Sequence, residues 1–579
     1  MKKIFTLLVL TIGFSMNAQT GNTSTGTGAL ASLTSGGDYN VAHGLESLPS
    51  NTTGDRNTAY GTYSMYTNVS GDRNTAAGYH SLSLNVSGDR NTAIGTYALY
   101  TNIGDWNTAL GYQSLYYNTT GTRNTASGYQ AMLDNTTGSY NTASGFQSLY
   151  SNTTGYNNTA SGYESLVSNT TGYSNTAIGL SSLYSNTTGY SNTASGSGSL
   201  YSNTTGDKNT ASGYYSLYSN TTGIQNTASG YYSLYSNTTG EKNTASGNYS
   251  LHSNTTGNNN TTSGYYSLYS NTTGANNVAS GFQSLYSNIT GYSNTASGYQ
   301  SLYSNTTGYY NTASGFESLE KNTTGSSNTA SGILTLFSNT TGDNNTTSGA
   351  QSLRANTTGD NNTASGAQSL RKNITGNYNT ATGYESLYSN TTGGNNTASG
   401  LQSLYINTTG SNNTAFGYNA QASAVDATNQ TMIGYNATGQ ADNSVVLGND
   451  DVTAVYMGED SGAKVYAGEG SFTGDVTIGG DVVVSSDARL KSNIVSLGST
   501  LSRLLLIDGK SYEMKGKQKI GVLAQDIKEV FPELISEDAN EMLAVNYQGL
   551  VPVLINALKE QDDKISRLEN LVEKLISDK

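Results

Sequence analysis

From Asn209 the chain reads "NTASGYYSLYSNTTGIQ" and starts again at Asn226, Asn243, Asn260 and Asn277, a period of 17 residues. Apolar positions are few and fall in two short alternations. In "NTASG" Ala211 sits between Thr210 and Ser212, and in "SLY" Leu217 sits between Ser216 and Tyr218. Period-2 alternation is strand logic, so each repeat predicts two brief strands that turn one alanine and one leucine inward. Glycine at the fifth and fifteenth places, with Asn and Thr crowding the rest, excludes a helix. "SNTTG" is turn chemistry, since Gly accepts positive φ and Asn can bond its own backbone.

The repeat anchor runs from Asn40 to Asn413, 23 anchors in a phase that slips once, by one residue, between Asn91 and Asn107. Such phase means one structural unit per period. Stacked about 4.8 Å apart, the coils predict a parallel β-solenoid or β-roll in which Asn lies over Asn and Thr over Thr. The fold class is therefore mainly β, with a different, α+β segment at the C-terminus. One Ala and one Leu per coil is a thin core against an ordering cost of about 1–2 kcal/mol per residue. That deficit predicts lateral self-association as a homotrimer, with tyrosines such as Tyr214, Tyr215 and Tyr218 covering the shared face.

Composition narrows the function. The chain has 579 residues, 68 Gly, 45 Tyr, no Cys and a formal net charge of −13. No basic stripe exists to neutralise phosphates, so nucleic acid is not an expected partner. Without Cys there are no disulfides, no thiol chemistry and no N-terminal lipidated cysteine. Lys2 and Lys3, the apolar run Ile4–Phe14 and small or polar residues around Ala18 read as a secretory signal over residues 1–18. The run is too short to span a bilayer, so no membrane span is expected in the mature chain. A lead-in occupies residues 19–39, and the product is expected to be secreted or held on a bacterial surface.

Other motifs are weak. N-T-T matches a glycosylation acceptor, but its recurrence once per coil favours a turn ladder. His43, His80 and His252 occupy different places in the coil and predict solvated surface histidines rather than a metal cluster. Asp55, Asp72 and Asp89 recur in phase without the glycine pattern of calcium-binding rolls, so neither metal nor cofactor is expected. Regular Thr rows raise ice binding, against which bulky outward Tyr residues argue.

After Asp450 the pattern changes. "SFTGDVTIGGDVVVSS" (471–486) predicts a hairpin within a short β connector over residues 451–486. "KIGVLAQDIKEVFPELI" (519–535) predicts a strand entering a helix that stops at Pro532. Leu558, Gln561, Ile565, Leu568, Val572 and Leu575, spaced 3, 4, 3, 4, 3, form a heptad seam, a short coiled coil over about residues 556–576.

The repeat phrase, together with "NQTMIGYNATGQADNSVVLGND" (429–450), resembles the head repeats of trimeric autotransporter adhesins, over residues 40–450. "SSDARLKSNI", "IGVLAQDIKEVFPELI" and "VNYQGLVPVLINALKEQ" in that order resemble the intramolecular chaperone auto-processing domain, also called the chaperone of endosialidase peptidase family, over residues 486–579. That resemblance implies a domain (residues 487–579) at the end of a trimeric β-rich fibre that guides folding and then cuts itself off. Carried onto this chain, it implies scission between Ser486 and Asp487, with Ser486 as nucleophile and Lys491 as base. A Ser hydroxyl needs a base to take its proton, and a Lys serves only where its charged form is disfavoured. An N-to-O acyl shift and direct hydrolysis both remain open. The expected function is an exported trimeric fibre or adhesin-like protein whose only chemistry is one self-cleavage, the mature shaft being non-enzymatic. A host glycan or surface protein is the expected ligand, and a phage-type receptor-binding tail fibre or an ice-binding protein are the alternatives.

Overall fold

The computed structural model describes residues 21–33, 36–455, 476, 486–514, 516–537 and 541–579. The expected secretory signal and nearly all of the expected 471–486 hairpin lie outside them. The chain divides into two compact units, residues 1–461 and 462–579.

The first unit is a parallel β-solenoid of 26 three-residue strands, β1 (Thr23–Thr25) to β26 (Val445–Leu447), in one continuous sheet. Neighbouring strands pair in parallel, Thr210 with Thr227, Ala211 with Ala228 and Ser212 with Ser229, which is the 17-residue repeat expressed as register. At about 4.8 Å per step the 26 strands extend roughly 120 Å. The solenoid exceeds the 23 anchors by one strand before them and by Thr431–Ile433 and Val445–Leu447 after them. Gln430 stands in the anchor position of the first of these and donates its backbone N–H to Asn413 Oδ1, as an anchor asparagine would.

Each coil has one strand, not two. Thr and Ser of "TAS" face out and Ala faces in, but "SLY" lies in a turn, where Leu217 (φ 51°) and Tyr215 just before the triplet (φ 52°) are left-handed. The physical reason is that Ser216 and Leu217 are both fully buried. Adjacent residues cannot both point inward from a pleated strand, and two left-handed residues flanking Ser216 turn the chain so that they do. Each costs about 1 kcal/mol. The turn recovers this by bonding along the axis: Tyr215 N–H donates to Ser197 O below and Leu217 N–H to Ser233 O above, both at 3.0 Å.

The interior also holds more than Ala and Leu. Asn209 and Asn220 are fully buried. Asn220 Nδ2 donates to Asn203 Oδ1 (2.8 Å) and Gly223 O (3.0 Å), and its Oδ1 accepts from Asn237 Nδ2 (2.8 Å). The anchor ladder differs: Asn209 Oδ1 accepts the backbone N–H of Asn226 (2.9 Å), while Asn209 Nδ2 donates to Gly223 O (2.8 Å). The thin apolar core is thus completed by two satisfied amide ladders, which costs nothing in orphaned polar groups. Both glycines are obligatory. A Cβ on Gly213 (φ 133°) would lie 2.5 Å from Gly230 O, and one on Gly223 would lie 2.5 Å from Asn220 Oδ1.

The phase slip is absorbed in one turn. Asn102 reaches Gly104 O (2.7 Å) across two residues instead of three, and strands Thr92–Ile94 and Thr108–Leu110 keep register. Asn220→Ala should leave Asn203 Oδ1 and Asn237 Nδ2 short of a partner, costing about 1–3 kcal/mol. Hydrogen exchange should therefore quicken roughly 5- to 150-fold in coils 203–237. Exposed Thr222→Ala is the control, and equal exchange in both variants would contradict the ladder's energetic role.

The second unit has a short helix α1 (Leu501–Leu504), hairpin β27 (Lys510–Met514) and β28 (Lys517–Gly521), and helix α2 (Ala524–Val530). A second strand pair follows, β29 (Ile535–Glu537) with β30 (Leu543–Val545), and then a 28-residue helix α3 (Leu550–Ser577). The predicted strand-to-helix passage is β28 to α2, and Pro532 opens a 3-10 turn after it. The core is small: Ile527, Phe531, Leu534 and Val553, flanked by Leu504, Val522 and Val545.

Candidate functional site

Ser486 and Lys491 flank a 3-10 turn, Ala488–Leu490. Asp487 (φ −63°, ψ 131°) caps it, Oδ1 accepting the Arg489 N–H at 2.8 Å, and the Lys491 N–H closes it on Ala488 O. The turn folds residue i+5 back onto residue i. Lys491 Nζ accordingly donates to Ser486 Oγ at 2.6 Å. The Arg489 guanidinium pairs with Asp487 Oδ2 at 2.6 Å, holding the Asp487 carboxyl below its usual range and the arginine above its own. The two residues expected to act together are thus within hydrogen-bond reach, and the bond between Ser486 and Asp487 lies beside them. Ser486, Asp487 and Lys491 are all exposed in the single chain.

Further along the chain, Glu560 on α3 secures the segment that enters α1. It accepts from Ser499 Oγ (2.7 Å), from the Thr500 N–H and from the Leu501 N–H (3.3 Å). Thr500 Oγ donates to Val553 O (3.0 Å). These bonds, Ser499 foremost, hold the Glu560 carboxyl below its usual range. A depressed carboxyl stabilises above its unfolded pKa and loses that contribution as pH falls through the folded one. Glu560→Gln should therefore lower the melting temperature of the C-terminal unit within the full chain at neutral pH, and the difference should vanish on acidification. A difference constant with pH would contradict the assignment. Arg503 Nε likewise bonds Val530 O at 2.8 Å, and its guanidinium lies 4.1 Å from the Phe531 ring centre.

Val553 and Ala557 near the start of α3 are buried against this unit. Beyond them Leu558, Ile565, Leu568, Val572 and Leu575 are 47–68% exposed. The seam is a real helix face and the single chain leaves it uncovered. Among the described residues no helix is long and apolar enough to cross a membrane.

On the solenoid the weaker motifs acquire places. The Asn of N-T-T is buried with its amide committed, so a folded coil such as that of Asn220 does not present it for glycosylation. The in-phase carboxylates each cap the preceding coil, Asp55 N–H donating to Asp72 Oδ1 (2.7 Å) and Asp72 N–H to Asp89 Oδ1 (2.8 Å). Among the described residues no cluster of three or more His, Cys, Asp or Glu could hold a metal ion. The histidines are not simply solvated. His43 lies 4.5 Å from the Tyr60 ring, His80 stacks on Tyr63 and Tyr97, and His252 stacks between Tyr235 (5.3 Å) and Tyr269 (5.0 Å). Burial lowers the pKa of His80 and His252.

The tyrosines stack along the axis. Tyr184, Tyr201, Tyr218 and Tyr235 form one run at 4.8–5.3 Å between ring centres, interplanar angles 9–12°. Stacked rings cover one another's faces and turn their edges to water. A saccharide that packs on an aromatic face has access only where such a column is broken, a restriction that repeat counting could not reveal.

Residues 486–536 match the family model described as the chaperone of endosialidase. The long tail fiber protein Gp37 of Escherichia phage AR1 is 32% identical over 92 residues, 14% of this chain and 8% of that protein. Gp37 of Enterobacteria phage T2 is 30% identical over 101 residues, 16% of this chain and 8% of that protein. Gp37 of Enterobacteria phage Ox2 is 27% identical over 143 residues, 23% of this chain and 53% of that protein. The chain thus spans under a tenth of the length of the first two. The resemblance stated from the C-terminal motifs holds over residues 486–536, which take in the first two of them from Ser486 on, and the chain is similar over part of its length to phage long tail fiber proteins.

Proposed function

We propose that the chain is a self-assembling trimeric fibre, adhesin-like and exported, whose C-terminal segment aligns three solenoids and then cuts itself off between Ser486 and Asp487. The observation that carries this is the 2.6 Å hydrogen bond from Lys491 Nζ to Ser486 Oγ beside that bond. The uncovered seam of α3 supports the trimer, because apolar residues on one helix face are buried when three copies meet.

Bond connectivity restricts the chemistry. An N-to-O shift at Ser486 would transfer the acyl group of Ser485 and so break the bond before Ser486. Attack of Ser486 Oγ on its own carbonyl would close a four-membered ring. Scission after Ser486 therefore takes Oγ of a second copy, its proton passing to that copy's Lys491. The tetrahedral intermediate collapses to an ester, the Asp487 amine leaves with a proton, and water hydrolyses the ester. In the single chain Lys491 is solvated and donates; packing among copies would desolvate it and make the free amine available. Intact-mass measurement of the expressed full chain should find a fragment of the 93 residues Asp487–Lys579. Only uncut chain in an assembled fibre would overturn the reading. A phage-type receptor-binding fibre is the same architecture with a different host, and the similarity to Gp37 supports it.

A second reading, ice binding, is supported by the strand face. From Thr295–Ser297 to Thr397–Ser399 seven consecutive strands present only Thr and Ser outward, the aromatics lying on the segments before and after the strand, as Tyr310 and Phe316 do. The objection from bulky Tyr therefore does not apply to the strand rows themselves. Thermal hysteresis by the shaft would favour this reading; none at millimolar repeat concentration would remove it.

A further inference from the structure

Two consecutive coils depart from the aromatic pattern together. Both read "SGAQSLR" (348–354 and 365–371), placing Ala350 and Ala367 where other coils carry Tyr214 or Tyr231, and Arg354 and Arg371 where they carry Tyr218 or Tyr235. Register is continuous: Gln368 N–H donates to Ala350 O (2.9 Å), Glu385 N–H to Ala367 O (3.0 Å) and Ala355 N–H to Arg371 O (3.0 Å). In the first column the ring stack ends at Phe316 and, among the described residues, resumes at Tyr418. Tyr384, 45% exposed, therefore stands next to Ala367 with the ring face on that side uncovered. Gln351 and Gln368 occupy the column between, where Tyr215 elsewhere lies 4.1 Å from the Tyr214 ring and 4.9 Å from that of Tyr218. The result is a notch two coils high, with a small-residue floor, two amides, an open aromatic face and an arginine on each of two successive coils.

The cations are held in place, and among the described salt bridges neither arginine is paired. The Arg354 guanidinium lies 5.5 Å from the Phe337 ring centre and that of Arg371 5.6 Å from Tyr388, so the order along the column is ring, guanidinium, guanidinium, ring. Lys321 and Lys372 sit 4.9 Å from the same two rings on their other contacts. The described salt bridges all fall in the second unit. Arg354 Nε is buried without a hydrogen-bond partner. Arg354 and Arg371 stand on successive coils, so their like charges repel unless an anion bridges them, and a planar guanidinium is the side chain suited to bidentate carboxylate or sulfate.

We propose that this notch binds an acidic saccharide, the anionic group between Arg354 and Arg371 and a sugar ring on the exposed face of Tyr384. Nucleic acid is disfavoured because the patch is local on a chain of net charge −13, and phosphates spaced every few ångströms would meet that field beyond the notch. The amides of Gln351 and Gln368 supply the hydroxyl contacts.

The full chain should be titrated with polygalacturonate, dextran sulfate and neutral dextran, with DNA as the competing polyanion. Binding to one or both acidic glycans and not to neutral dextran is expected, the stronger of the two identifying carboxylate or sulfate as the ligand group. Arg354→Ala with Arg371→Ala should weaken it about tenfold or more per guanidinium. Ala350→Tyr with Ala367→Tyr, which refills the column and keeps every charge, should weaken it as strongly. Undiminished binding by the tyrosine variant would overturn the notch, since diffuse charge attraction would survive it. Absence of acidic-glycan binding, or equal binding of DNA, would overturn the ligand class. Both variants keep the buried Ala, Leu and Asn of the coil, and strand content by circular dichroism verifies their fold.

Discussion

Replacing Ser486 by alanine should abolish release of the Asp487–Lys579 fragment, leaving the full-length chain as the only species on a denaturing gel. The substitution removes the one oxygen that Lys491 Nζ touches and deletes the nucleophile of the proposed ester. Loss of a covalent nucleophile typically costs orders of magnitude in rate, on the scale of about 10⁶-fold in a serine protease. Folding should be unharmed, because Ser486 is exposed. Lys491→Met should give the same gel. If Oγ attacks a neighbouring copy, wild-type chains co-expressed with tagged Ser486→Ala chains should cut some of the tagged chains within mixed trimers. Tagged chains that stay wholly intact while their wild-type partners are cut would contradict attack between copies. Unimpaired cleavage of Ser486→Ala would contradict the dyad altogether.

The second large effect concerns assembly. Identical coils make register ambiguous: a chain displaced by one repeat still pairs Thr with Thr and Ala with Ala, as Thr210, Thr227 and Thr244 do. Closing long stacks of parallel strands is slow for the same reason, since non-local pairing precedes its own stabilisation. In the proposed trimer a unique element must therefore set the alignment of the chains. The sequence of α3, with its exposed seam from Leu558 to Leu575, is not repeated elsewhere in the chain. Chains lacking residues 487–579 should consequently yield aggregates and slipped species in place of uniform rods. Leu568→Glu with Leu575→Glu, which charges the seam and leaves the buried core of this unit alone, should give the same defect.

Much of this was legible in the residues. The period, the inward Ala and Leu and the Asn ladder follow from spacing, because one strict repeat admits few backbone solutions. The Ser486–Lys491 pair was found through motif order; a serine and a lysine five apart carry little signal alone, and only the 3-10 turn at Ala488 brings them together. What spacing could not give was the left-handed Tyr215 and Leu217, since alternation in "SLY" mimics a strand while burial of two adjacent side chains demands a turn. The polar interior was hidden for a related reason: Asn209 and Asn220 look like surface turn residues until the stacked Gly223 carbonyl gives their amides a partner. Nor could the notch be read, because it is defined by what its neighbouring coils stack against.

The most direct measurement of the central claim is electron microscopy, with mass photometry, of two preparations made at equal expression: the intact chain and one ending at Ser486. The account predicts trimeric rods of uniform length, about 120 Å of solenoid, from the first and their near absence from the second. Equal yields of the same rods from both would contradict it.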